Sequence, residues 1–324
     1  MRLLQSILLF VIFFFFAGES FSQWDPSFSQ YMNNQLCINP AYTGIRNTIS
    51  TNLNIKKQWM GVEGSPTTYM LGINGPINKT YNAIGGLISN HKVGPVNTYN
   101  ASFSYAHLLK LNDQLHLSLG LNIGAIYQNI TLSKISIVQS NDPMFQSDLS
   151  NQINGDFGAG AFLYSPIFYV GLSFPHLIQT HFSKYDNIEV PGYKRNAYLS
   201  SGLLVGLNKS LSIKPSILFK MNDDAEANLD MNALLSVNKK FIVGASYRIK
   251  HTMAFIVNVQ LSKELLLGYS YDLNRNNSGI GYNSHEISIC YDNFTYYRKN
   301  RKRMFKKKKK KQEEEESIRS IRNF

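Results

Sequence analysis

LHLSLGLNIGAIY, residues 115–127, sets Leu115, Leu117, Leu119, Leu121, Ile123, Ala125 and Tyr127 against His116, Ser118, Gly120, Asn122 and Gly124. Strict alternation gives a β-strand one greasy face and one face of small or polar groups. Strands of soluble proteins typically run to about 5 or 6 residues. A strand of about 10 crosses a bilayer when tilted. The pattern returns at Tyr99, Ala101, Phe103 and Tyr105 against Asn100, Ser102 and Ser104, and at Leu211, Ile213 and Ile217 against Ser212, Lys214 and Ser216. It appears again in Met253, Phe255, Val257, Val259 and Leu261, and in Ile287, Ile289 and Tyr291 against Glu286, Ser288 and Asp292.

Alternation alone does not separate a soluble sandwich from a membrane barrel, since both hide one face from water. Strand length, aromatics near strand ends and the connections favour the barrel. Tight turns such as NKS at Asn208 and NKK at Asn238 alternate with longer polar segments, the asymmetry of an outer-membrane barrel with short inner turns and long outer loops. The expected fold is all-β: a transmembrane outer-membrane β-barrel of about fourteen antiparallel strands. The candidates lie at 46–59, 64–74, 81–91, 97–109, 114–129, 154–165, 167–174, 194–207, 209–220, 226–237, 240–250, 252–262, 264–273 and 284–294. The two longest gaps, Thr131–Ile153 and Pro175–Tyr193, read as outer loops or a plug.

The ends differ from the body. Residues 1–22 read as a signal peptide: Arg2 is the positive region, Ile7–Ala17 an apolar run, and Ser20-Phe21-Ser22 the small-residue cleavage site. The apolar run is shorter than the roughly 20 residues of a membrane helix. Residues 23–45 form a segment expected to pack in or under the barrel, 46–297 the barrel, and 298–324 a disordered Lys/Glu-rich tail. Because the strand count is even, both ends of the mature chain are expected on the periplasmic side.

Charge and composition narrow the function. Only 17% of residues are charged, while Tyr and Phe number 19 and 20, low and high respectively for a water-facing surface. The net charge of +12 sits mostly in the tail, where 13 Lys or Arg face 4 Glu between Arg298 and Phe324, and the body is nearly neutral. Nucleic-acid binding would spread basic residues over a folded surface with interleaved aromatics, so it is set aside. For the tail, contact with acidic periplasmic partners or phosphate-bearing lipid stands beside a plain solvated extension. The visible lumen charges are Lys214, Lys220, Asp230 and Glu286. Cys37 and Cys290 leave open either a bridge from the leading segment to the last strand or two thiols; no zinc spacing accompanies them. Among the seven histidines, none stands in a Gly-x-Ser-x-Gly or His-Glu-x-x-His frame, and SHEIS at 284–288 has only the first two letters of the zinc motif. No enzyme activity, cofactor or metal is expected.

The segment QWDPSFSQYMNNQLCINPAYTG, Gln23–Gly44, precedes any strand pattern. Pro26, Pro40 and Gly44 punctuate it, and Trp24, Phe28, Tyr31 and Tyr42 supply large apolar area, so it is built to pack on a surface without becoming a strand. Trp24, Phe28, Tyr31, Asn39, Pro40, Tyr42 and Trp59 are the candidate lumen or partner contacts.

With DPSFSQYMNNQLCINPAYTG at the start come KKQWMGVEGSPTT at 56–68, ISNHKVGP at 88–95, NDPMF at 141–145, GDFGAGAFLYSPIFYVGLSFPHL at 155–177, and later LSIKPSILFK, VGASYR, LLLGYSYDL and NSHEISICYD. In this order the chain resembles the PorP/SprF family of type IX secretion system membrane proteins, over Gln23 to about Asp292. The resemblance implies an outer-membrane component of the secretion and gliding machinery, needed for export or surface anchoring of a cognate adhesin through its C-terminal domain. The implied partners are outer-membrane lipid, the secreted adhesin C-terminal domain and periplasmic type IX ring components. An outer-membrane channel or hydrophobic-solute transporter is the alternative, since a barrel of this size can enclose a wet lumen.

Overall fold

A computed structural model describes residues 27–77, 81–131, 149–178, 181–185, 188–191, 195–222, 225–249, 252–274 and 282–294. The leader at 1–22, Trp24 and the tail at 298–324 lie outside the described residues. The strands are β1 (Ile49–Lys57), β2 (Thr67–Pro76), β3 (Asn82–Val93), β4 (Val96–Lys110), β5 (His116–Ile130), β6 (Leu149–Tyr164) and β7 (Phe168–His176). A small hairpin, β8 (His181–Tyr185) with β9 (Ile188–Pro191), interrupts the series. It continues with β10 (Asn196–Leu203), the two-residue β11 (Val205–Gly206), β12 (Leu211–Asn222), β13 (Ala225–Val237), β14 (Phe241–Arg248), β15 (Thr252–Gln260), β16 (Leu265–Asn274) and β17 (Ser284–Asn293).

Leaving aside β8, β9 and β11, each strand pairs antiparallel with its sequence neighbours and β1 pairs with β17, from Ile49↔Asn293 to Lys57↔His285. The sheet is thereby a closed antiparallel barrel of fourteen strands, and closure removes the edges that an open sheet would expose. Asymmetry between the two ends fixes orientation. β1 starts and β17 ends at the rim with the short connections, such as 165–167 and 238–240. In the latter Asn238 and Lys239 both have positive φ, and the Lys240 amide donates to the Val237 carbonyl, a type I′ turn. The opposite rim carries all the longest connections, 58–66, 131–148, 177–195 and 275–283, beside short ones at 94–95, 223–224 and 249–251. By the rule for such barrels the short-turn rim is periplasmic and the long-loop rim outer.

The alternating faces fall as chemistry demands. Leu119, Leu121 and Ile123 point outward and are exposed, whereas Ser118 and Gly120 point inward. Tyr69, Tyr99, Phe174 and Tyr247 stand on the outer-rim side of the apolar band, and Tyr105, Phe241 and Tyr291 on the other, as two aromatic girdles do. Replacing Leu121, 62% exposed in the middle of β5, by Arg should cost about 2–4 kcal/mol of barrel stability, whereas Arg at Leu111 on a turn should cost little. Unfolding in detergent or lipid by urea titration measures the difference.

The lumen is occupied by polypeptide. Residues 27–48 fill it, so the inward positions that looked free to line a channel are covered.

Candidate functional site

The lumenal segment contains three short 3-10 turns, Tyr31–Asn33, Gln35–Cys37 and Pro40–Tyr42. Its backbone folds this way because Asn39 caps the third turn, its side chain accepting from the Ala41 amide at 2.9 Å, with Pro40 supplying a fixed φ at the first position. Gly44, at φ +76°, turns the chain toward β1. The segment runs on past residue 45: Arg46 and Thr48 are also buried.

The segment crosses the whole barrel. At the turn rim the Arg46 guanidinium bonds the Tyr42 hydroxyl at 3.0 Å and the Asp292 carboxylate at 3.3 Å, and the Thr48 hydroxyl donates to the Asn293 carbonyl. Tyr42 packs edge-on to Phe162, with ring centroids 5.5 Å apart. Midway, Tyr31 donates to the Ser216 hydroxyl and accepts from the Asn232 amide at 2.9 Å, while Asn33 donates to Asn258 and Ser288. Asn34 donates to Asn54 at 3.0 Å.

At the far end, near the outer rim, the Ser27–Gln30 tip meets a buried ion network. Glu286, wholly buried on β17, accepts the Ser29 amide at 2.8 Å and the Gln30 amide at 3.1 Å. Lys56 Nζ lies 2.7 Å from Asp272 and 3.6 Å from Glu286, and also donates to the Ser27 carbonyl at 2.8 Å. Asp272 accepts the Ser29 hydroxyl. Beside it Asp230 holds Arg248 through two bonds, at 2.7 and 3.1 Å, and Lys220 at 3.0 Å, and Lys220 in turn donates to the Ser27 hydroxyl. Three cations and three carboxylates therefore neutralise one another around the tip. That balance makes burial of six charges tolerable.

The wall is shaped to admit the segment. A Cβ on Gly120 would stand 2.3 Å from the Ala41 backbone nitrogen, one on Gly160 2.1 Å from Asn39 Oδ1, and one on Gly268 2.3 Å from Gln30 Oε1. Small inward residues in the alternation thus mark close approach of a second backbone.

Of the sequence candidates, the lumen gathers Phe28, Tyr31, Asn39, Pro40 and Tyr42, all buried. Trp59 is not among them: it sits on the outer β1–β2 loop, 38% exposed at φ +46°, its amide donating to Ser284. Lys214, Lys220, Asp230 and Glu286 do face the interior, and Lys214 Nζ has no hydrogen-bond partner among the described residues. Sequence reading missed Arg46, Lys56, Asp156, Arg248, Asp272 and Asp292, equally buried. For the five on strands, all but Arg46, the inward parity was a signal available in the sequence; their pairing was not. The lumen is therefore far richer in charge than four residues. Cys37 and Cys290 are not joined; their thiols lie against the carbonyls of Asn34 and Asn33. The chain ends themselves lie outside the described residues. Strand parity places Ile49 and Asn293 together at the turn rim, but the lumenal segment carries the chain back across, so Ser27 lies at the opposite rim.

A family model for the type IX secretion system membrane protein PorP/SprF matches residues 20–291. The chain belongs to the PorP/SprF family. It is accordingly an outer-membrane component of the type IX secretion system, a multi-pass β-barrel of a non-enzymatic kind. Membership in a secretion-system membrane family points to machinery partners and membrane lipid. Comparison with curated proteins finds no match. Solved structures similar to the chain include the Acinetobacter baumannii outer membrane protein Omp33, with 8% identity, 76% of this chain and 99% of that one covered, and a TM-score of 0.44. A Pseudomonas aeruginosa FadL homologue has 13% identity, coverage of 83% and 95%, and a TM-score of 0.44. The P. putida toluene transporter TodX has 8% identity, coverage of 82% and 94%, and a TM-score of 0.45.

Proposed function

We propose that this PorP/SprF protein is a surface anchor and adaptor: it holds a cognate exported adhesin by that protein's C-terminal domain and links it to the periplasmic type IX ring, serving secretion and gliding. The observation that carries the reading is the filled lumen. Gln30, Gln35, Ala41, Thr43 and Ile45 are at zero exposure, so among the described residues the middle of the lumen is taken up by polypeptide, which suits a scaffold better than a solute channel. Its working surfaces are then the two rims. Among the described candidate partner contacts, Trp59 lies on the outer loop rim, beside Met60 and Tyr282, both exposed.

Deleting the gene and comparing surface and medium proteins with the parent strain tests the proposal. Selective loss of one large exported protein from the surface, restored by complementation, is the expected result, together with copurification of its C-terminal domain with the barrel. An unchanged set of surface proteins, with conductance or hydrocarbon uptake by the intact purified barrel, would instead favour a channel.

A further inference from the structure

The direction of the lumenal segment has a topological meaning. Chain order alone would leave both ends of an even-stranded barrel at the periplasm. Here β1 begins beside the end of β17, Ile49 opposite Asn293, at the turn rim. Going backward from Ile49, successive contacts climb the lumen: Arg46 to Asp292, Ala41 beside Gly120, Ile38 accepting from Ser173, Asn34 on Asn54, Gln30 on Glu286, and Ser27 on Lys56. Lys56 is the last residue but one of β1, Glu286 the third of β17 and Lys220 the third from the end of β12, all next to the outer loops. Ser27 is half-buried where Phe28 and Ser29 are buried.

From the expected start of the exported chain at Gln23, four residues precede Ser27. Fully extended they reach roughly 14 Å, far less than the ~25 Å of an apolar band, and the lumen beneath them is occupied. We infer that the amino end of the exported protein emerges at the outer mouth, while the carboxyl tail leaves from the periplasmic rim, so that one chain offers a terminus to each side of the membrane. Beyond what secretion-family membership supplies, this makes the first residues part of the outward surface, beside the rim residues Trp59, Met60 and Tyr282. The Lys-rich tail continues from Phe294, next to the end of β17 at the turn rim. That the outward terminus contributes to holding cargo rests on the adaptor reading above; its position does not.

The test uses single cysteines in a full-length chain carrying Cys37→Ala and Cys290→Ala. Gln23→Cys, Asn323→Cys and, as an outer-loop reference, Glu63→Cys are each treated with a membrane-impermeant maleimide on intact cells lacking the cognate adhesin, then after opening the outer membrane. Mass measurement of the purified protein reads the amino-terminal residue. Gln23→Cys should label on intact cells to at least half the extent of Glu63→Cys, and Asn323→Cys at least tenfold more after opening than before. Labelling of Gln23→Cys only after opening, or at neither stage while Glu63→Cys reacts, overturns the topology, as would a leader left attached. Failure of Glu63→Cys to label would expose misfolding by the cysteine replacements, and the set is then repeated with Cys37→Ser and Cys290→Ser, read by the same criteria. Adding the adhesin's C-terminal domain should protect Gln23→Cys at least fivefold; labelling without protection overturns the cargo role alone and leaves the topology standing.

Discussion

Glu286→Ala should turn a silent barrel into a conducting one. The wild-type carboxylate is wholly buried, satisfies the Ser29 and Gln30 amides and lies 3.6 Å from Lys56 Nζ. Truncation orphans two buried donors, at about 1–3 kcal/mol each, and leaves the network with one more cation than carboxylate. Removing one partner of a buried ion pair typically costs about 3–5 kcal/mol. The terms share groups and do not add, but even about 4 kcal/mol alters the ratio of seated to unseated segment by roughly a thousandfold, at about 1.4 kcal/mol per decade. The fourteen-stranded wall draws its hydrogen bonds from strand pairing and should persist. Purified Glu286→Ala in planar bilayers is expected to show conductance steps that the parent lacks, and residues near Ser27 should become sensitive to protease. Glu63→Ala, on an exposed outer loop, should behave as the parent in both measurements. A non-conducting, protease-resistant Glu286→Ala barrel would mean that the other contacts hold the segment without this one.

Gly120→Val should act at the opposite end of the segment through sterics rather than charge. The new Cβ would stand 2.3 Å from the Ala41 nitrogen and 2.5 Å from both Ala41 Cα and the Pro40 carbonyl carbon. These are backbone atoms on both sides, so no side chain can swing away. Overpacking of this kind costs about 1–3 kcal/mol where neighbours adjust, and more where they are rigid. The expected outcome is a folded barrel whose segment is displaced from the turn rim, read as faster proteolysis between Asn39 and Arg46 and as intermittent conductance. Gly86→Ala is the matched control: its Cβ would meet nothing nearer than the Ser102 carbonyl oxygen at 3.7 Å. Equal behaviour of the two variants would contradict a segment seated against Gly120.

The barrel was legible because a membrane strand is constrained on both faces at once. Each of the fourteen sequence candidates overlaps one observed barrel strand. The errors are local. β1 starts at Ile49 rather than 46 because Arg46–Thr48 belong to the lumen, and β6 starts at Leu149 rather than 154 because LSNQIN alternates weakly. The β8–β9 hairpin fell inside a gap read as loop, its strands too short to carry a period. What a single strand cannot reveal is what sits opposite its inward face. Gly120, Asn54 and Ser288 look like lumen lining whether the lumen holds water or polypeptide, and Lys56 in NIKKQ looks like a strand-end lysine until Asp272 and Glu286 are placed beside it. The aromatic, Asn-rich character of residues 27–44 was the available hint. Its direction of travel was not readable, because strand parity speaks only for the strands.

The seam between β1 and β17 bears on the order in which the protein can be made. Residues 27–46 are exported first, yet Asp272, Glu286, Ser288 and Asp292, which receive them, are exported last, with partners up to 258 positions away in sequence. Earlier strands offer part of the seat, such as Asn54, Gly120 and Ser216, but the outer tip lacks Asp272 and Glu286 until the final strands exist. Maturation must therefore keep an aromatic stretch incompletely seated while the wall closes around it. Loops this long close slowly, and the interval before closure is when a periplasmic holding factor would matter most.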